Sequence, residues 1–217
     1  MPAPAAVVFD NDGLTLDTEI VWTRAEVTLF ARRGVTFTPA HKVDLVGNAG
    51  PVAAAKLAAM LGEPAEQGAA ILAELNELVL EELARGCEAM PGAVALIAAL
   101  RERGVPIGLC SNSPRRVVDV ALEGSGLAGV FATTLAGDEV TRQKPDPEPY
   151  ATVCAALGVA PADCIALEDS PTGCTSARAA GLRVFGVPSV DGVLLDGIAH
   201  EVHASLEAPA LWAALGL

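Results

Sequence analysis

Five short apolar runs punctuate the chain: Ala5 to Phe9, Pro106 to Cys110, Val130 to Leu135, Cys164 to Leu167 and Leu182 to Val187. Their lengths suit strands, and glycines or polar clusters flank them, so each reads as a buried β-strand. Between them lie helix patterns, each stopped by a glycine: Gly92 to Arg103 before Gly104, Pro114 to Glu123 before Gly124, Glu148 to Leu157 before Gly158, and Thr172 to Ala180 before Gly181. Strand and helix therefore alternate, which predicts an α/β protein whose parallel sheet is covered on both faces.

Residues 17–87 break the alternation, because they carry helix patterns and no strand pattern. A first helix runs from near Thr18 to Arg33, with Arg32 and Arg33 in its last turn and Gly34 beyond. Cations and a glycine suit a helix carboxyl end. Pro51 to Leu61 and Pro64 to Arg85 supply further helices, stopped by Gly62 and Gly86. The expectation is a core of residues 1–16 and 88–217 with an inserted helical unit, 17–87.

Composition narrows the functional classes. Apolar residues make up 52% of the 217, with 21 Gly and 15 Pro, as in a folded, Ala-rich globular chain. Acidic residues outnumber basic ones 27 to 14, and no basic stripe offsets them, which argues against nucleic acid as a partner. An anionic small substrate then requires a metal ion and a few placed cations to reverse the field locally. The five cysteines (Cys87, Cys110, Cys154, Cys164, Cys174) lie in or beside apolar stretches without CxxC spacing and read as reduced core residues. Met1 to Phe9 has no basic leader and no apolar run reaches membrane-spanning length, so a soluble cytoplasmic protein is expected. Oligomeric state is not legible.

Four polar clusters carry the chemistry. Asp10-Asn11-Asp12-Gly13 puts two carboxylates at the carboxyl end of the first strand, where open α/β sheets hold ligands. One can attack while the other manages protons. A calcium loop is the competing reading, but position 21 is Val where a bidentate Glu is needed. Ser111-Asn112-Ser113-Pro114 follows the second strand and opens a helix, so it reads either as an anion cradle or as a Ser113 N-cap. Lys144 stands in a loop that Pro145 and Pro147 restrict, which can fix an ammonium in place. Glu168-Asp169 is a second acidic pair after a strand; adjacent like charges there suit Mg²⁺. Otherwise Glu168 caps the following helix and Asp169 is solvated.

In order, FDNDGLTLDTE, LCSNS, QKPDPEPY and ALEDSPTG resemble the four motifs of the haloacid dehalogenase superfamily, in its phosphatase and β-phosphoglucomutase-like branch. The resemblance spans nearly the whole chain. It implies a Rossmann-like core with a small helical cap, and an Mg²⁺-dependent phosphatase acting on a small phosphorylated metabolite through an aspartyl-phosphate. It makes Asp10 the nucleophile and Asp12 the general acid and base, with Ser111, Asn112 and Lys144 on the phosphoryl group. Asp10, the Asp12 carbonyl and Asp169 would hold Mg²⁺, with Glu168 acting through water. A sugar-phosphate mutase and a non-catalytic phosphate-binding protein remain alternatives. The β-phosphoglucomutase branch carries a histidine on the first cap helix where this chain has Trp22, ten residues after Asp12, which favours hydrolysis. Trp22 and Trp212 sit in helix patterns and read as core residues, with a crevice-facing place on the first inserted helix as the alternative for Trp22; His41, His200 and His203 read as surface or cap residues, and Gly47 to Gly50 as a loop facing the crevice without a charge to meet a second phosphate.

Overall fold

A computed structural model describes residues 4–190 and 192–217; Met1 to Ala3, the start of the segment read as lacking a leader, lie outside them. The five expected strands form, as β1 (Ala6–Asp10), β2 (Ile107–Cys110), β3 (Thr133–Leu135), β4 (Cys164–Glu168) and β5 (Arg183–Gly186), joined by a short edge strand β6 (Glu201–Val202). They make one parallel sheet in the order β3-β2-β1-β4-β5-β6. β1, β2 and β4 are buried along their full length, which is why the sequence shows continuous apolar runs instead of alternation. Val7 and Phe9 face one hydrophobic cluster, while Ala6 and Val8 face the other across the sheet. Each large side chain removed from water there contributes about 1.5–3 kcal/mol before entropy is counted.

The chain runs from β1 to β2 and β3 on one side, then crosses back to β4 on the other. Such a reversal opens a crevice beyond the carboxyl ends of the central strands. All four polar clusters converge there.

Among the described residues, 17–87 hold helices and no strand: α1 (Thr18–Ala31), α2 (Pro39–Leu45), α3 (Gly50–Leu61) and α4 (Gly68–Leu83). α2 went unread because it is only seven residues long; Pro39 starts it, and Thr38 caps it by accepting from His41 N–H. The chain leaves and rejoins the sheet side by side: Leu16 bridges Ala89, and Asp17 N–H donates to the Glu88 carbonyl at 2.8 Å. The remaining helices are α5 (Ala93–Glu102), α6 (Arg115–Gly124), α7 (Glu148–Leu157), α8 (Pro171–Ala179) and α9 (Pro209–Leu215). No helix of the described residues is long and apolar enough to cross a membrane. All five cysteines are buried and free. His203 corrects the surface reading, since it is buried against Phe185 with ring centres 5.4 Å apart.

Candidate active site

β1 delivers Asp10 to the crevice, and the chain then turns sharply at Gly13. Thr15 Oγ1 donates to the Asp10 carbonyl, and Gly13 N–H to the Leu16 carbonyl. Gly13 has φ +81°, and a β-carbon there would overlap Asp169 Oδ2 and come 2.6 Å from Ser189 Oγ. Glycine is needed on both counts. Asn11 does not line the crevice; it is fully buried, with neither amide atom hydrogen-bonded among the described residues.

Lys144 is the hub. Its Nζ lies 2.6 Å from Asp10 Oδ1, 2.6 Å from Glu168 Oε1, 2.8 Å from the Cys110 carbonyl and 3.2 Å from Tyr150 Oη. Burial works against its charge, but the two facing carboxylates outweigh that and hold its pKa well above the ordinary lysine value. The loop that carries it is clasped by three hydrogen bonds from two side chains. Asn112 accepts from Lys144 N–H through Oδ1 and donates to the Lys144 carbonyl through Nδ2, while Ser176 Oγ donates to the Asp146 carbonyl. Asn112 Nδ2 also reaches the Gly47 carbonyl at 3.2 Å. The Asn112 side chain, read as a phosphoryl ligand, is thus engaged in bracing loops, whereas its backbone N–H has no acceptor among the described residues.

Asp12 receives four donors. Thr18 Oγ1 and Trp22 Nε1 donate to Oδ1 at 2.9 and 3.2 Å, and Ser111 Oγ and Ser113 Oγ donate to Oδ2 at 2.8 and 2.9 Å. Ser113 is therefore not the N-cap that its place before Pro114 suggests. α6 begins at Arg115, whose N–H is taken by Asp138 Oδ1, leaving Ser113 free to turn into the crevice. Glu168 likewise does not cap α8. Ser170 does so by accepting from Gly173 N–H, and Glu168 Oε2 accepts from the Ser170 N–H and hydroxyl.

Asp10, Glu168 and Asp169 each bring a carboxylate oxygen within 4.8 Å of the others, all buried. Burial raises the Asp10 pKa well above the usual range; Lys144 offsets part of this, and Glu168 and Asp12 add to it. Burial, then Asp10, Glu168 and Glu19, push Asp169 the same way, while the hydrogen bond from Ser189 pulls it down. Three buried carboxylates facing one ammonium leave uncompensated negative charge. A divalent cation with oxygen ligands fits this set.

Tyr150 escaped the reading although it ends the third motif and is the only tyrosine of the chain. It donates to Glu168 Oε1 at 2.7 Å and so fixes the carboxylate that holds Lys144. Trp22 takes the alternative of its two readings and faces the crevice from α1. Gly47 to Gly50 does too, alongside Lys42 and Glu26.

A parallel sheet with a carboxylate–lysine–carboxylate centre at its switch point defines a Rossmann-like enzyme with a buried acidic site. The family model for haloacid dehalogenase-like hydrolases matches residues 4–181, and the chain belongs to that family. It is similar to validoxylamine A 7'-phosphate phosphatase from Streptomyces hygroscopicus subsp. limoneus, 30% identical over 205 residues covering 94% of this chain and 91% of the relative. Hexitol phosphatase B from Escherichia coli strain K12 is also 30% identical, over 85% of this chain and 83% of its own. Among solved structures, CbbY from Rhodobacter sphaeroides in complex with phosphate superposes with TM-score 0.83 at 26% identity, covering 99% of this chain and 100% of that one.

Proposed function

We propose that the protein is an Mg²⁺-dependent phosphatase that hydrolyses a small phosphorylated metabolite, a sugar phosphate or similar ester, in the cytoplasm. The observation that carries the reading is the pairing of Asp10 with Lys144 at 2.6 Å beside a second, separately held carboxylate, Asp12. A protein that only bound phosphate would need neither a nucleophile nor a proton donor. Named phosphatases among the relatives support the same reading.

Asp10 attacks phosphorus, and Asp12 gives a proton to the leaving oxygen, which splits one displacement into two through an aspartyl-phosphate. Asp12 then takes a proton from the water that hydrolyses the intermediate. Lys144, the Ser111 hydroxyl and the Asn112 backbone N–H meet the phosphoryl oxygens, where charge accumulates. Ser111 must turn from Asp12 to do so, a rotation about one bond. Asp10, the Asp12 carbonyl and Asp169 would hold Mg²⁺, with Glu168 committed to Lys144, Tyr150 and Ser170 and so acting on the ion only through water. When bound, Mg²⁺ supplies Lewis-acid charge to the phosphoryl oxygens.

Residues 17–87 form the cap in this reading, and residues 1–16 and 88–217 the core. A mutase must hold water off its aspartyl-phosphate until a sugar hydroxyl arrives, and an indole at position 22 has no acid–base use near neutral pH. Phosphate release from a panel of phosphorylated metabolites with Mg²⁺ tests the proposal. Turnover of at least one small ester is expected, and none across a broad panel contradicts it.

A further inference from the structure

The crevice above Asp10 continues into the helical unit as a cavity of about 170 Å³. Its far wall is largely apolar, with Leu45, Leu57, Leu72 and Leu75 from α2, α3 and α4. Set into that wall is one ion-paired trio. Lys42 Nζ lies 2.6 Å from Glu19 Oε2 and 3.2 Å from Glu26 Oε2, with side-chain exposures of 12%, 16% and 5% for Lys42, Glu19 and Glu26. Burial opposes the Lys42 charge, but Glu19 and Glu26 outweigh it and raise its pKa; burial also raises that of Glu26, against the pull of Lys42. The trio is at best neutral, and fully ionised it carries one excess negative charge.

Lys42 is the single cation on the helical side of this cavity among the described residues, and two carboxylates already claim it. Asn76 of α4 lines the same cavity, and its Oδ1 is shielded from solvent without a hydrogen-bond donor among the described residues. An amide oxygen so placed is costly until a donor reaches it.

We infer that this cavity is a leaving-group subsite for an uncharged, hydroxyl-bearing group of polyol or sugar type, and that it rejects a leaving group carrying a second phosphate or a carboxylate. Hydroxyls donate to Asn76 Oδ1 and to the carboxylate oxygens of Glu19 and Glu26, while the carbon faces pack on the leucines. A second anion would lie against two largely buried carboxylates beside an apolar wall, where like charges repel more strongly than in water. The inference rests on the phosphatase reading and deepens it by naming the substrate class.

The test compares kcat/KM, with Mg²⁺, for p-nitrophenyl phosphate, sorbitol monophosphate, a hexose bisphosphate and phosphoglycolate. Sorbitol monophosphate should exceed both esters that carry a second anionic group by roughly a hundredfold. Glu26→Gln, which leaves Lys42 a single carboxylate, should narrow that gap by roughly tenfold, and Asn76→Ala should lower the sorbitol ester by up to roughly tenfold more than p-nitrophenyl phosphate. Equal or faster turnover of the bisphosphate or phosphoglycolate by the wild-type enzyme would overturn the inference. So would an unchanged gap in folded Glu26→Gln. If p-nitrophenyl phosphate is still hydrolysed in those cases, the phosphatase reading stands; if none of the four is hydrolysed, both fall.

Discussion

The indole N–H of Trp22 donates to Oδ1 of Asp12 at 3.2 Å, so the first helix after the Asp12 loop touches the carboxylate proposed to manage protons. Thr18 of the same helix donates to the same oxygen at 2.9 Å. Both donors come from α1 and fix the orientation of Asp12, and neither an indole nor a threonine hydroxyl is an acid or base near neutral pH. Trp22→Phe keeps the bulk and removes one neutral donor, and should lower kcat up to roughly tenfold. With β-glucose 1-phosphate and a trace of the bisphosphate, the wild-type enzyme should release phosphate faster than it forms glucose 6-phosphate. The reverse order would promote a mutase.

Removal of the metal is the second prediction. Asp10, Glu168 and Asp169 crowd one buried point, and Lys144 compensates for only part of their charge. Exhaustive chelation should stop turnover and Mg²⁺ should restore it. Mg²⁺ should also raise the Tm of the wild-type protein more than that of Asp169→Ala, since a ligand stabilises only the state that binds it. Full activity after chelation contradicts this.

Lys144→Ala and Lys56→Ala separate a buried hub from a surface charge. Lys144 is 3% exposed with two carboxylates on its ammonium, and its loss leaves both uncompensated. A destabilisation of about 3–5 kcal/mol is expected, with a loss of at least roughly a hundredfold in kcat/KM. Lys56 pairs with Asp44 at 30% and 57% exposure, so its removal should cost within about 1 kcal/mol and leave turnover near wild type. Similar small losses in both would contradict the hub role of Lys144.

Much of this site was legible because its chemistry sits at strand ends. Asp10, Ser111 and Glu168 follow apolar runs that could be nothing but buried strands, and a parallel sheet brings those ends to one edge. What stayed hidden depends on contacts between distant segments. Ser113 before Pro114 has the look of a cap, and only the Asp138 carboxylate, which takes over the start of α6, releases it toward Asp12. Tyr150 meets Glu168 across 18 positions of chain, and the trio at Lys42 assembles from two helices, so no local pattern announces either. α2 is seven residues long, too short for a periodic signal to emerge.

A pH prediction follows from Glu74, which joins α4 to the end of α1. Hydrogen bonds from Arg33 and Arg32 hold its carboxyl below the ordinary value. A depressed folded-state pKa adds stability above the unfolded value, and that contribution is lost as pH falls through the folded one. The pair is partly solvated, so the effect is small, within about 1 kcal/mol. Glu74→Gln should lower Tm slightly at neutral pH, with the difference from wild type closing as acid protonates Glu74. A constant difference across that range would contradict the ionic origin.

In the proposed reaction Asp10 forms a covalent bond to phosphorus. Its carboxylate is held by Lys144 at 2.6 Å at the end of β1, and Asn keeps that shape without the nucleophile. The most direct measurement is transfer of radiolabelled phosphate from a small ester to the protein with Mg²⁺, quenched in acid, in the wild type and in Asp10→Asn. Label should appear on Asp10 of the wild-type chain and be absent from a folded Asp10→Asn protein, whose turnover falls by at least roughly a thousandfold. Substantial turnover by folded Asp10→Asn, or label on another residue, would contradict the account.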